Sequence, residues 1–257
     1  MKRSILILAL GLSGVLPAQI SKLRNNAVID LQQSYDLWPS DGKLLVQDIF
    51  LLPKAKAIYP ACFAAWEREK MAKGMTIAKA DKWIMGMTLF EAAYFDALWK
   101  NAPHSVDPTA TQRGDCLSRN KIIIPAGAFY TRDKLDYAFN DIAGMSNAGN
   151  YEPTGQGGTE LKLWNERWRG DAKDRVLMGF YMDGSTGIYS YAESVQIHDL
   201  RLTGNAGHWK NPGYTITGLR AWSLGSGSNV RNIFISNCDI GLDCVAGTPF
   251  TGSGYIG

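Results

Sequence analysis

The sequence predicts a mainly β chain, a solenoid of short strands behind a small helical N-terminal region. Three observations predict it. Glycine is unevenly spread: 7 of the 27 precede residue 144 and 20 stand from Gly144 onward, a density that marks tight turns between short strands. The pattern changes at Lys121, from Ala-, Lys-, Met- and Trp-rich sequence to short apolar runs broken by turns. A segment then repeats: residues 197–202 align with 230–235 at an offset of 33. Apolar residues coincide at three positions, and Asp199 meets Asn232 at the bend. Repeats of this length with Gly and Asn turns indicate stacked strand-turn units.

Composition bounds the rest. Hydrophobic residues are 46% and charged residues 20% of the 257, which excludes disorder as the main state and allows a substantial core. The net charge of +3 argues against a nucleic-acid binder, which needs a concentrated basic face. The densest basic stretch, 167–175, also carries Asp171 and Asp174 and reads as a mixed-charge solvated loop. The Arg169-Gly170-Asp171 tripeptide inside it is read as a chance match.

Residues 1–18 read as a secretory signal. Lys2 and Arg3 precede an apolar run from Ile5 to Leu16, followed by Pro17-Ala18-Gln19. The run is shorter than the ~20 residues that span a bilayer. Cleavage after Ala18 would lower the net charge from +3 to +1 and place the chain outside the cytoplasm: secreted, periplasmic or on the cell surface. The competing reading is an uncleaved helix that packs on a partner. No later stretch has the length and apolarity of a membrane span.

Residues 19–87 read as a helical region of unassigned role, with helices expected over 61–73 and 76–85. The next helix runs from Thr88 to Trp99: Thr88 and Glu91 have capping-box spacing, and Leu89, Ala92, Ala93 and Leu98 share a face. Residues 101–120 form a loop. Ile122-Ile123-Ile124 is a strand, Pro125-Ala126-Gly127 a turn, and a second strand runs to Tyr130. Residues 147–158 are turn-rich, 160–164 alternate as a half-buried strand does, and 176–182 form an apolar strand. Gly218-Leu219 aligns with Gly241-Leu242 at an offset of 23, ten less than the earlier offset and equal in shortfall to the length of the stretch 205–214. The unit is therefore a coil of about 23 residues with that stretch inserted as a loop in one coil, and the strand region spans 88–257.

This combination resembles the right-handed, single-stranded parallel β-helix of the pectate-lyase-like superfamily, which includes polysaccharide lyases, polygalacturonase-type hydrolases and phage tailspikes. The resemblance rests on the helix 88–99, on Ile124-Pro125-Ala126-Gly127-Ala128-Phe129-Tyr130, on Gly155-Gln156-Gly157-Gly158-Thr159 and on the repeat. It implies a polysaccharide partner, bound in a groove along an outer sheet, and chemistry by acidic residues that do acid/base work or hold Ca²⁺. A lyase or a glycoside hydrolase is the implied enzyme. The alternative is a tailspike- or adhesin-like receptor-binding module without catalysis, homotrimeric and carried on a virion. The chain ends soon after a coil without an amphipathic segment to cover the last strand, so a continuation or a capping partner is expected.

The segment 237–247 looks distantly like the polygalacturonase stretch with paired catalytic aspartates, but only Asp243 matches, because Leu242 occupies its neighbour's place and no Gly-His-Gly follows. Asp243, Asp239, His198 and Arg201 are the catalytic candidates, each weighed against an ordinary turn or strand role. Asp239 suits a turn cap, and His198 and Arg201 flank a bend in one strand. His208, Trp209 and Lys210 in the inserted stretch, with Trp222, are the sugar-binding candidates. No residue set is singled out as a metal site. The four cysteines, Cys62, Cys116, Cys238 and Cys244, contain no CxxC pair, which argues against a zinc ribbon or a thioredoxin-type centre. Cys238 and Cys244 read equally as a short disulfide or as small core fillers. No nucleophile elbow, phosphate loop or HExxH motif is present.

Overall fold

The computed structural model describes residues 27–100, 120–137, 140–148, 157–179, 195–204, 213–221, 224 and 228–244. The expected signal segment 1–18 and the candidates His208, Trp209, Lys210 and Trp222 lie outside these residues.

The described chain starts with a short strand, β1 (Val28–Asp30), which leads directly into α1 (Leu31–Tyr35). Asp30 caps that helix by accepting from the amides of Gln32 and Gln33. Five helices follow: α2 (Val46–Ile49), α3 (Leu52–Ile58), α4 (Pro60–Ala72), α5 (Ile77–Met85) and α6 (Leu89–Trp99). Thr88 and Glu91 close the capping box on α6 as their spacing predicts. However, α6 does not bury one stripe. All of its residues are buried, and its rings Phe90 and Phe95 pack on Phe129, Trp66 and Trp99.

The remaining strands are β2 (Lys121–Ile123), β3 (Gly127–Thr131), β4 (Asp141–Ala143), β5 (Thr159–Leu163), β6 (Asp174–Gly179), β7 (Gln196–Thr203), β8 (Thr215–Arg220), β9 (Asn229–Ser236) and β10 (Ile240–Asp243). They make two sheets in which every named pair is parallel. The larger has the order β1-β2-β4-β7-β5-β3, with β9 also on β7; the smaller is β10-β8-β6. The large sheet curls because β7 changes neighbours along its length. Residues 196–198 pair with β4, and 201–203 pair with β5. Between them Asp199 has a left-handed backbone, φ 58°, a conformation that short polar side chains tolerate. Asn232, at φ 51°, repeats the bend in β9.

The repeat is thus a register. Ile197, Leu200 and Leu202 sit beside Val230, Ile233 and Ile235, and Leu219 sits beside Leu242. The fold class expected from it is not met. The chain is not mainly β, and it is not a single-stranded β-helix: about as many described residues are helical as extended, and the strands form a curled sheet and a separate three-stranded sheet. The physical reason lies in the first hundred residues. Their Ala, Trp, Phe and Met side chains do not merely cap a strand stack. They supply half of one continuous core in which Trp66, Phe95 and Tyr59 join Ile122, Leu161 and Leu219.

Backbone contacts bind the two halves closely. The carbonyl of Gly42, just after the turn that follows α1, accepts from the Tyr130 amide at 3.0 Å. A Cβ at Gly42 would lie 2.1 Å from the Ala128 carbonyl oxygen, so only glycine permits this approach. The Thr88 hydroxyl donates to the Tyr130 carbonyl on the same strand at 2.9 Å.

Candidate functional site

A polar cleft of about 300 Å³ opens on the outer face of the large sheet. Strand alternation builds its floor. In β5 the side chains of Leu161 and Leu163 enter the core, so Glu160 and Lys162 point the other way. Parallel register then sets two rows across the strands. One runs Ala128, Glu160, Arg201, Phe234; the other runs Tyr130, Lys162, Thr203, Ser236. Lys43 from the helical half, Trp164, Glu166 and Asn237 complete the rim.

Glu160 is the centre of the floor and is only 5% exposed. The Thr203 hydroxyl donates to its Oε1 at 2.6 Å, and Arg201 Nε lies 3.5 Å from the same atom. Lys162 Nζ is 3.7 Å from Oε2. Arg201 is held in turn: its Nη2 donates to the Ser236 hydroxyl at 3.1 Å, and its guanidinium lies 4.5 Å over the Phe234 ring. At the other end the Tyr130 ring meets the edge of Trp164 at 6.0 Å, and Lys43 Nζ stands 4.2 Å from the Tyr130 centroid. The arrangement supplies ring faces, hydroxyls, cations and one shielded carboxylate in a small space. It can stack a sugar ring, hydrogen-bond its hydroxyls and pair with an acidic substituent.

The four described catalytic candidates do not come together. Arg201 lines the cleft. His198, three residues earlier, lies beyond the Asp199 bend and is 6% exposed rather than solvent-facing. Its Nε2 is 2.9 Å from Asp141 Oδ1, and its Nδ1 is 2.6 Å from Asp199 Oδ2. Asp199 also accepts from the Asn232 side-chain amide; that bond first, and the His198 contact second, hold its carboxyl below the usual carboxylate range. Asn147 in turn donates to Asn232 at 2.8 Å.

Asp239 and Asp243 serve the small sheet. Asp239 accepts from the Ile216 amide at 2.8 Å, which ties the turn before β10 to β8. Asp243 accepts from Arg220 Nε at 3.0 Å, while the same guanidinium donates twice to Asp174, at 2.7 and 2.9 Å. Burial alone would lower Arg220, but the Asp174 hydrogen bonds and then Asp243 outweigh it and raise its pKa. Cys238 and Cys244 are both free, one half-buried and one exposed. Burial pushes the Cys238 thiol up to about 11.

Glu160, Lys162, Tyr130, Trp164 and Lys43 escaped the sequence reading. The alternation over 160–164 was a usable signal, since burying Leu161 and Leu163 turns Glu160 and Lys162 outward. Nothing local marks Lys43. Among the described residues no group of three or more His, Cys, Asp or Glu is placed to hold a metal ion, and no helix is long and apolar enough to cross a membrane. No protein-family profile, curated protein or solved structure matches this chain, so the site stands on its own geometry.

Proposed function

We propose that the cleft binds a polysaccharide and that the protein acts outside the cytoplasm. The observation that carries the reading is the pairing of two half-buried aromatic rings that line the cleft, Tyr130 and Trp164, with a set of polar groups held in register on the parallel sheet. Sugar sites need that combination: an apolar ring surface for the sugar face, and pre-placed donors and acceptors for its hydroxyls. Lys43, Lys162 and Arg201 favour an acidic saccharide, and the charged, then apolar, start of the chain supports export. If cleavage follows binding, Glu160 is the group for acid/base chemistry, with Lys162 and Arg201 beside it.

The test is a panel of soluble glycans: polygalacturonate, alginate, hyaluronan, xylan, mixed-linkage glucan and chitin oligomers. Binding is followed by calorimetry, and cleavage by reducing-sugar release and by the absorbance of unsaturated products. Saturable binding to at least one panel member is expected. Neither binding nor products across the panel would refute the reading.

A further inference from the structure

We infer that the cleft forms one end and the middle of a longer track across β3, β5, β7 and β9, with Phe234 as its far stacking platform, so that the ligand is an oligomer of about three sugar units or more. The inference rests on the saccharide reading of the cleft and adds the length of the ligand and a residue that selects for it.

The track follows from register. Tyr130, Lys162, Thr203 and Ser236 stand side by side on the four strands, and Glu160, Arg201 and Phe234 stand side by side on three of them. Neighbouring strands lie about 4.8 Å apart, so the four strands span about 14 Å, more than one sugar ring covers. The chemistry along the track is ordered. Tyr130 and Trp164 lie at one end, Glu160, Lys162 and Arg201 in the middle, and the Phe234 ring at the other end.

Phe234 has no core duty. Its neighbours Ile233 and Ile235 pack against the core, and strand alternation sends Phe234 to the opposite face. There it is 48% exposed. Its described ring contact is the Arg201 guanidinium at 4.5 Å, and Arg201 is itself fixed by Ser236 and placed next to Glu160. The ring therefore continues the polar floor of the cleft with an apolar platform, at a place where a monosaccharide seated on Tyr130 does not reach.

The test uses the full chain and a monomer-to-hexamer series of the panel glycan that binds best. Wild-type affinity should rise with length and level off at the trimer or tetramer. Phe234→Ala should weaken the trimer and longer oligomers about tenfold and leave the monomer and dimer unchanged. Phe234→Trp should restore the long-oligomer affinity. Tyr130→Ala should weaken every length. Equal affinity for all lengths, or a Phe234→Ala loss that is the same at every length, overturns the track while the saccharide reading stands. A Phe234→Ala change in sedimentation without a change in oligomer affinity assigns the ring to a protein contact and also overturns it. If no panel glycan binds, both this inference and the saccharide reading fall.

Discussion

Glu91 shows how much one side chain carries at the junction of helices and sheet. It is fully buried, yet it accepts from the Thr88 amide at 2.7 Å, the Thr131 hydroxyl at 3.0 Å and the Arg132 amide at 2.6 Å, with Arg169 Nη2 at 3.8 Å. Glu91→Ala leaves the buried Thr88 amide and the half-buried Arg132 amide without this acceptor and should cost about 3 kcal/mol, read as a lower midpoint in urea unfolding. Two residues past Thr131, Asp133 gives the protein a pH dependence. Burial first, and the Glu91 charge against it, raise its carboxyl from 3.8 to about 6 despite Arg169 nearby. Between about pH 4 and 6 the native state therefore holds a proton that the unfolded chain releases. This group's stabilisation is full below pH 4 and falls by up to ~3 kcal/mol as pH rises through 6. Asp133→Asn should remove that slope, so the difference in unfolding midpoint between variant and wild type should change between pH 4 and 7. A constant difference would contradict it.

Single elements were legible where a local rule decided them. The capping spacing of Thr88 and Glu91 placed the start of α6, and alternation placed β5. The helices expected over 61–73 and 76–85 are found at Pro60–Ala72 and Ile77–Met85. What fixes the start of α4 was not legible. Tyr59 offers it no side-chain cap, and Asp96 from α6 accepts instead from the Ala61 and Cys62 amides, at 2.6 and 3.0 Å, and from the Tyr35 hydroxyl at 2.7 Å. A cap supplied from 34 residues away leaves no trace in the local sequence. Asp96→Ala should cost about 2 kcal/mol and speed hydrogen exchange in the first turn of α4 more than elsewhere. Uniform change across the helices would show that Asp96 acts on packing rather than as a cap. The repeat in β7 and β9 correctly placed neighbours, because identical positions in parallel strands lie side by side. It misled about fold class, because register between two strands does not say how many units stack or what covers them.

Over the whole molecule, the helical half is part of the sheet's core and of its cleft. Lys43 follows Gly42, whose backbone approaches Ala128 so closely that it sets Lys43 over Tyr130. The cleft therefore has one wall from each half, a fact that chain order hides, since Lys43 and Tyr130 are far apart in sequence. The most direct measurement is calorimetric titration of the best panel glycan into the wild type, Tyr130→Ala and Lys43→Ala. Lys43 is exposed and forms no ion pair among the described residues, so its loss should leave the unfolding midpoint unchanged. Both variants should bind about tenfold more weakly than the wild type, with Lys43→Ala showing a smaller dependence on salt if the glycan is acidic. Wild-type affinity in both variants would contradict a saccharide site built jointly by the helices and the curled sheet.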